Sequence, residues 1–138
     1  METSMLTPAL ALITWTMVVW GWMYALRIPA MQAAGIDAQE AAHPGSLDGL
    51  PSNVRQVADN YNHLHEQPTI FYALVFYTQL TGLADGFTIA VAWTYVALRI
   101  VHSLTQCISN NVMLRFSVFC LSSITLIVLV GKNLLALT

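Results

Sequence analysis

Hydrophobic residues in this chain come in long runs, and the polar residues collect at the ends of those runs. The first run covers residues 3–26 without a charge and closes at Arg27, with Pro29 just beyond as a stop. About 20 mostly apolar residues suffice to cross a bilayer as a helix, so the run predicts a spanning helix over about 5–28. Trp20, Trp22 and Tyr24 gather toward its end, where an interfacial aromatic belt belongs. Residues 30–52 break the pattern with Asp37, Glu40, Asp48, three glycines and two prolines, and read as the one sizeable loop.

A second helix is predicted over 53–83, with Ser52 or Asn53 as its cap. Its first half, NVRQVADNYNHLHE, is polar and its second half, QPTIFYALVFYTQLTGL, is apolar. Pro68 stands at the join and is expected to kink it. A third helix is predicted over about 87–108, interrupted by Arg99 and His102, and a fourth over about 112–135, with Arg115 in its first turn and Lys132 near its end. The short turns at 84–86 and 109–111 make helices two, three and four antiparallel neighbours. The fold expected is a single all-α domain over 1–138, an integral membrane four-helix bundle of up-down topology. Arg27, Arg55 and Arg115 fall near the side that carries the large loop, Arg99 points toward it, and Lys132 is alone at the other. The positive-inside rule then places the large loop in the cytoplasm and both termini outside.

Composition agrees with this pattern. Apolar residues are 57% of the chain and charged residues 9%, against roughly 25% charged in an average soluble domain. The five basic and seven acidic side chains are too few to wet the surface of a soluble fold, and the net charge of −2 leaves no basic footprint for nucleic acid. Cys107 and Cys120 show no metal-type spacing and are expected as buried free thiols. The first apolar run differs from a signal peptide, because Glu2 stands where a basic region belongs and the run is too long.

Charge inside a bilayer costs roughly 2.5–3.5 kcal/mol on insertion scales, so such residues face a bundle interior and tend to have a function. Arg55, Asp59, Asn62 and Glu66 are four, three and four residues apart, one stripe of an α-helix. Arg99, His102 and Gln106, three and four apart, make a second stripe, and Arg115 follows the turn after it. All lie toward the loop side and are expected to converge on one polar cavity. Three arginines, Arg55, Arg99 and Arg115, would there outnumber the two carboxylates of Asp59 and Glu66. That excess suits an anionic, peptide-like ligand, since arginine binds carboxylates bidentately. Structural roles compete with this. Arg55 can pair with Asp59 at the interface, Glu66 can fasten helices through Arg99 or Arg115, and His102 can be a satisfied interior histidine. His63 and His65 lie off the stripe, and no metal site is expected from them.

The segments NYNHLHEQPTIFYAL (60–74), LRIVHSLTQ (98–106) and LRF (114–116), in this order and on these helices, resemble the MAPEG family, the membrane-associated proteins in eicosanoid and glutathione metabolism. The resemblance covers nearly the whole chain and is greatest to bacterial members, which implies a bacterial inner membrane. It implies a homotrimer that binds glutathione between subunits near the cytoplasmic side. Asn62 and Glu66 would hold the peptide, with Arg55 as the substitute for an arginine that the family places directly before the asparagine. Arg99, His102 and Gln106 would contact it from helix three, Gln106 standing where a tyrosine is expected. Arg115 would sit by the sulfur as the catalytic residue. Phe116 replaces a hydroxyl residue of the prostaglandin branch, which argues against prostaglandin synthesis.

The role of Arg115 has a physical reason. A thiol titrates near 8.5 and its thiolate is the nucleophile, so a neighbouring guanidinium raises the reactive fraction at neutral pH. The expected function is a glutathione-dependent transferase or peroxidase acting on a lipophilic small molecule delivered by membrane lipid. The competing function is a non-catalytic protein of the same fold that binds a lipid or other anionic ligand. A transporter would need polar residues through the full membrane depth, and the outer halves of these helices are apolar apart from Lys132 and small hydroxyls.

Overall fold

The computed structural model describes residues 4–138; the start of the first apolar run, and Glu2, lie outside the described residues. Helix α1 spans Leu6–Ala33, α2 Ser52–His63, α3 Gln67–Leu80, α4 Gly86–Leu104 and α5 Val112–Leu135. A short 3₁₀ turn, Ala38–Ala41, lies in the large loop, and a π-helical turn, Thr105–Ser109, continues α4. Among the described residues there is no strand.

Two boundaries differ from expectation. Pro29 lies inside α1 and does not end it. A proline removes one helical hydrogen bond, and the helix formers that follow, AMQAA, carry the helix on for another turn. The stop comes at Gly35, whose φ of +67° gives the left-handed conformation that closes helices. The predicted second helix is broken rather than kinked. Pro68 cannot donate to Leu64, and its ring would collide with that residue's carbonyl. The chain therefore leaves the helix after His63 and restarts at Gln67, with Pro68 in the first turn of α3, where its missing N–H costs nothing.

Three helical stretches are long and apolar enough to cross a membrane: Leu6–Ala33, Gly86–Ser109 and Val112–Leu135, the last with a mean hydropathy of 2.2. Their outward side chains are apolar too, as at Leu10, Leu121 and Ile127, each more than half exposed. A helix apolar on both faces belongs in lipid. The protein is an integral membrane protein. The core runs along the helix contacts through Leu12, Val19, Val57, Phe71, Tyr95, Val96 and Leu129, and the Phe71 and Tyr95 rings stack with centroids 4.4 Å apart.

Side-chain hydrogen bonds add to this packing. Gln67 donates to Ser123 Oγ (2.8 Å) and accepts from Tyr95 Oη (3.3 Å), which links α3 to α5 and α4. Asn133 donates to Thr78 Oγ1 at 2.9 Å, and Gln79 Oε1 accepts from the Met5 amide at 2.7 Å. Inter-helix bonds of this kind contribute about 0.6 kcal/mol each on average in membrane proteins. Cys107 is a buried free thiol as expected, whereas Cys120 is exposed on the outer face of α5.

The turn before α4 is closed by a capping box. The Asp85 carboxylate accepts from the Thr88 amide while Thr88 Oγ1 accepts from the Asp85 amide. Lys132, near the end of α5, donates to the same carboxylate and lies over the Phe87 ring. The Lys132 hydrogen bond, helped by the Thr88 amide, lowers the Asp85 carboxyl from an ordinary 3.8 to about 2. A carboxyl held below its unfolded value stabilises the fold above that value and loses the contribution as pH falls toward the folded one. The advantage of wild type over Asp85→Asn in thermal unfolding in detergent should therefore be full at neutral pH. It should shrink between about pH 4 and pH 2. An advantage unchanged across that window would mean that the ion pair does not contribute.

Candidate functional site

The charged residues of α2 lie on its outer face, and two of its amides face inward. Arg55, Asp59 and Asn62 lie on the exposed outer face, while Val54, Gln56, Val57 and Asn60 are buried. The charged stripe thus points away from the bundle interior, against expectation. At 12 residues this helix is too short to cross a membrane by itself. The uncharged amides make the inward contacts. Gln56 Nε2 donates to the Cys107 carbonyl at 2.7 Å and Asn60 Nδ2 to Gln106 Oε1 at 3.0 Å. Both partners lie in the π turn, the wider kind of turn that recurs at functional sites. The second stripe is where it was expected, since Arg99, His102 and Gln106 are all buried.

At the loop-side end of the bundle a cleft of about 450 Å³ opens between the end of α2, the π turn and the start of α5. Small-molecule sites fall in the range of roughly 300–1,000 Å³. Of the residues singled out in the sequence, Asp59, Glu66, His102, Gln106 and Arg115 line it, together with His63. Val112, Phe116 and Phe119 form its apolar wall, and Val112 and Phe116 are well exposed beyond it. The cleft therefore joins a polar end to the apolar exterior of the bundle.

Arg115 is held by the turn that precedes it. Asn110 takes a left-handed conformation (φ +50°), and its Oδ1 accepts from Arg115 Nη1 at 2.9 Å. Asn111 caps α5 by accepting from the Leu114 amide at 3.0 Å. With one nitrogen anchored, the rest of the guanidinium is left to the cleft. Across from it, the helix break folds Glu66 back on His63, and Glu66 Oε2 lies 3.1 Å from His63 Nδ1. The His63 ring meets His102 edge-on at 4.8 Å between centroids and stacks on Phe119 at 5.7 Å.

Arg99 lines no cleft and is wholly enclosed. Its guanidinium lies 5.8 Å from the Phe119 ring centroid, and none of its three nitrogens has a hydrogen-bond partner among the described residues. His102 Nδ1, Ser103 Oγ and Asn60 Oδ1 are also buried without partners there. This interior polar seam lies behind the wall that His102 and Phe119 give to the cleft.

Arg55 and Asn62 line a second cleft of similar volume, with Arg27, His43 and Asp48 of the loop side. Asp59 lines both clefts, so they adjoin around α2. The single cavity of excess positive charge is therefore not assembled within one chain, since Arg115 shares the first cleft with both carboxylates. The ion pairs expected as alternatives are not formed either. Among the described residues, the close carboxylate contacts are His63–Glu66 and Lys132–Asp85, and neither Arg55–Asp59 nor Glu66 with Arg99 or Arg115 is among them. The helix break is the reason for Glu66, which it turns toward His63. No group of three potential metal ligands gathers among the described residues.

Sequence reasoning missed His63, Gln56 and Asn60. The signal for His63 was the i,i+3 spacing to Glu66, which stands two residues before Pro68. Gln56 and Asn60 sit one turn apart on the face of Val57 and Leu64, but uncharged amides gave no reason to prefer them over the charged stripe.

A membrane-embedded all-helical bundle with a polar cleft at one end is the class of protein that this fold defines. The model of the MAPEG family matches residues 5–135, and the chain belongs to that family. No curated protein and no solved structure matches it.

The enclosed charge of Arg99 generates a prediction of unusual sign. A buried charge without a partner costs several kcal/mol. Replacing Arg99 by Met should therefore raise the stability of the ligand-free protein by about 1–3 kcal/mol, read as a higher melting temperature in detergent. A lower melting temperature would show that the guanidinium is satisfied in the native protein.

Proposed function

We propose that this protein is a glutathione-dependent membrane transferase or peroxidase that activates the glutathione thiol for attack on a lipophilic electrophile or hydroperoxide. The observation that carries the reading is the first cleft, where an anchored arginine faces carboxylates and imidazoles at one end and an apolar wall leads to the outside of the bundle. Glutathione offers two carboxylates, an ammonium and a thiol. Arg115 takes the position beside the sulfur, where its charge favours the thiolate. Glu66 and Asp59 suit the ammonium. Arg55 and Asn62 receive a carboxylate in the adjoining cleft, so that the peptide lies across α2 through the meeting point at Asp59. His102 and Gln106 form the floor, and Arg99 supplies positive potential from behind it. The oily substrate reaches the sulfur along Val112, Phe116 and Phe119.

The assembly proposed with this function is a homotrimer of up-down antiparallel bundles in a bacterial inner membrane, with the large loop and the site on the cytoplasmic side. Neighbouring subunits would cover the outward face of α2 and enclose the peptide. Family membership supports glutathione-related chemistry in general, and the cleft supports this thiol-activating form of it.

Calorimetry on the detergent-purified protein tests the proposal. Wild type should bind glutathione in the millimolar range or tighter, with the rise in ultraviolet absorbance that marks a thiolate. Arg115→Ala should lose that absorbance and about tenfold or more of the turnover with an apolar electrophile. If neither protein binds glutathione and the variant only melts earlier, the charges are structural and the protein is a non-catalytic member that binds a lipid or another anion.

A further inference from the structure

The first cleft contains a histidine that the proposed function leaves without a task, beside the carboxylate of Glu66, which that function assigns to the ammonium alone. His63 closes α2, and the break forced by Pro68 returns Glu66 to its ring, with Oε2 3.1 Å from Nδ1. The contact is out of line for a hydrogen bond. Ligand-free sites commonly show this looseness and tighten when occupied. The ring is fixed on two further sides, by Phe119 beneath it and His102 at its edge. It is 24% exposed, enough to be reached from the cleft yet held in place. A carboxylate that orients an imidazole beside the position of a nucleophile is the arrangement that activates hydroxyls and thiols.

We propose that His63, oriented by Glu66, accepts the proton of the bound thiol, and that the thiolate it releases is held by Arg115. This rests on the glutathione reading above. With Nδ1 turned to Glu66, Nε2 is the ring nitrogen free to accept. The sulfur–hydrogen bond breaks, its electron pair stays on sulfur, and the proton moves to Nε2. The imidazolium formed lies against the Glu66 carboxylate, and the thiolate lies against a guanidinium, so each new charge meets a partner already in place. The proton then passes to the departing group of the substrate, or to water when that group leaves as a stable anion.

His102 is the other imidazole of the cleft and is less suited. It is 2% exposed, has no carboxylate in contact, and lies on the same helix as Arg99, one turn away. The charged and titratable groups around His63 are Asp59 from α2, Glu66 from the break, Arg99 and His102 from α4, and Arg115 from α5. Burial and then Arg99 oppose its protonated form and hold its proton affinity below the ordinary value, and Glu66 favours that form. Removing the charge of Glu66 therefore lowers the affinity of His63 for a proton and moves the acid limb of thiolate formation to lower pH.

The test is stopped-flow mixing of glutathione with the detergent-purified protein, reading thiolate absorbance across pH, beside equilibrium calorimetry. His63→Gln should bind glutathione within about threefold of wild type. It should form the thiolate about a hundredfold more slowly, the low end for a positioned general base. Added imidazole should restore part of the rate in His63→Gly, and Glu66→Gln should shift the acid limb downward. If the glutamine variant fails to fold, as judged by gel filtration, His63→Asn takes its place with the same readouts. Thiolate formation at the wild-type rate in the variant, or loss of glutathione binding from a folded variant, would overturn the role of His63 and leave the glutathione reading standing. Absence of glutathione binding to wild type would overturn both.

Discussion

A proline ring and a carbonyl oxygen cannot occupy the same place, and much of the candidate site follows from that. Pro68 excludes a continuous helix through Leu64, so the polar and apolar halves of the second helical stretch become two elements, α2 and α3. The break does more than divide them. It leaves His63 at a helix end and returns Glu66 to its ring, which sets two titratable groups at the rim of a cleft instead of along a rod. A continuous helix would carry Glu66 past the cleft without returning it to His63.

The rest of the cleft depends on how the protein satisfies polar groups away from water. Gln56 and Asn60 anchor α2 to the π turn. An unmade hydrogen bond in that position would leave a buried polar group without compensation. Gln106, in that turn, lines the cleft. Asn110 then reverses the chain in a left-handed conformation and holds Arg115. The polar interior is thus concentrated at one end of the bundle, while the other end relies on Thr78 with Asn133 and on Asp85 with Lys132. The polar cleft and the anchoring contacts thus lie at opposite ends of the bundle, and an apolar wall leads out from the polar end.

Much of this was legible in the residues. The apolar runs place the helices, because crossing a bilayer demands length and hydrophobicity that sequence displays directly. The stripe of Arg99, His102 and Gln106 falls inward because lipid gives it no alternative. Arg115 announces itself as a cation after a short turn. Helix two was read less well. Helical period puts Arg55, Asp59, Asn62 and Glu66 on one face, but that face is exposed in α2 and its amides turn inward, and of the four only Asp59 and Glu66 reach the first cleft.

What the sequence by itself determined is therefore the membrane class, the helical runs, the family and the end of the bundle where polar residues gather. The family rests on the ordered segments at 60–74, 98–106 and 114–116, and the rest follows from composition and period, which are local and additive. The tertiary structure decided which polar residues meet. It divided Arg55 and Asn62 from Arg115 and enclosed Arg99 behind Phe119. It also paired His63 with Glu66. Those outcomes depend on where one helix breaks and on the angle at which another resumes. Helical period specifies a face of a helix, and only the packing of its neighbours specifies what that face looks upon.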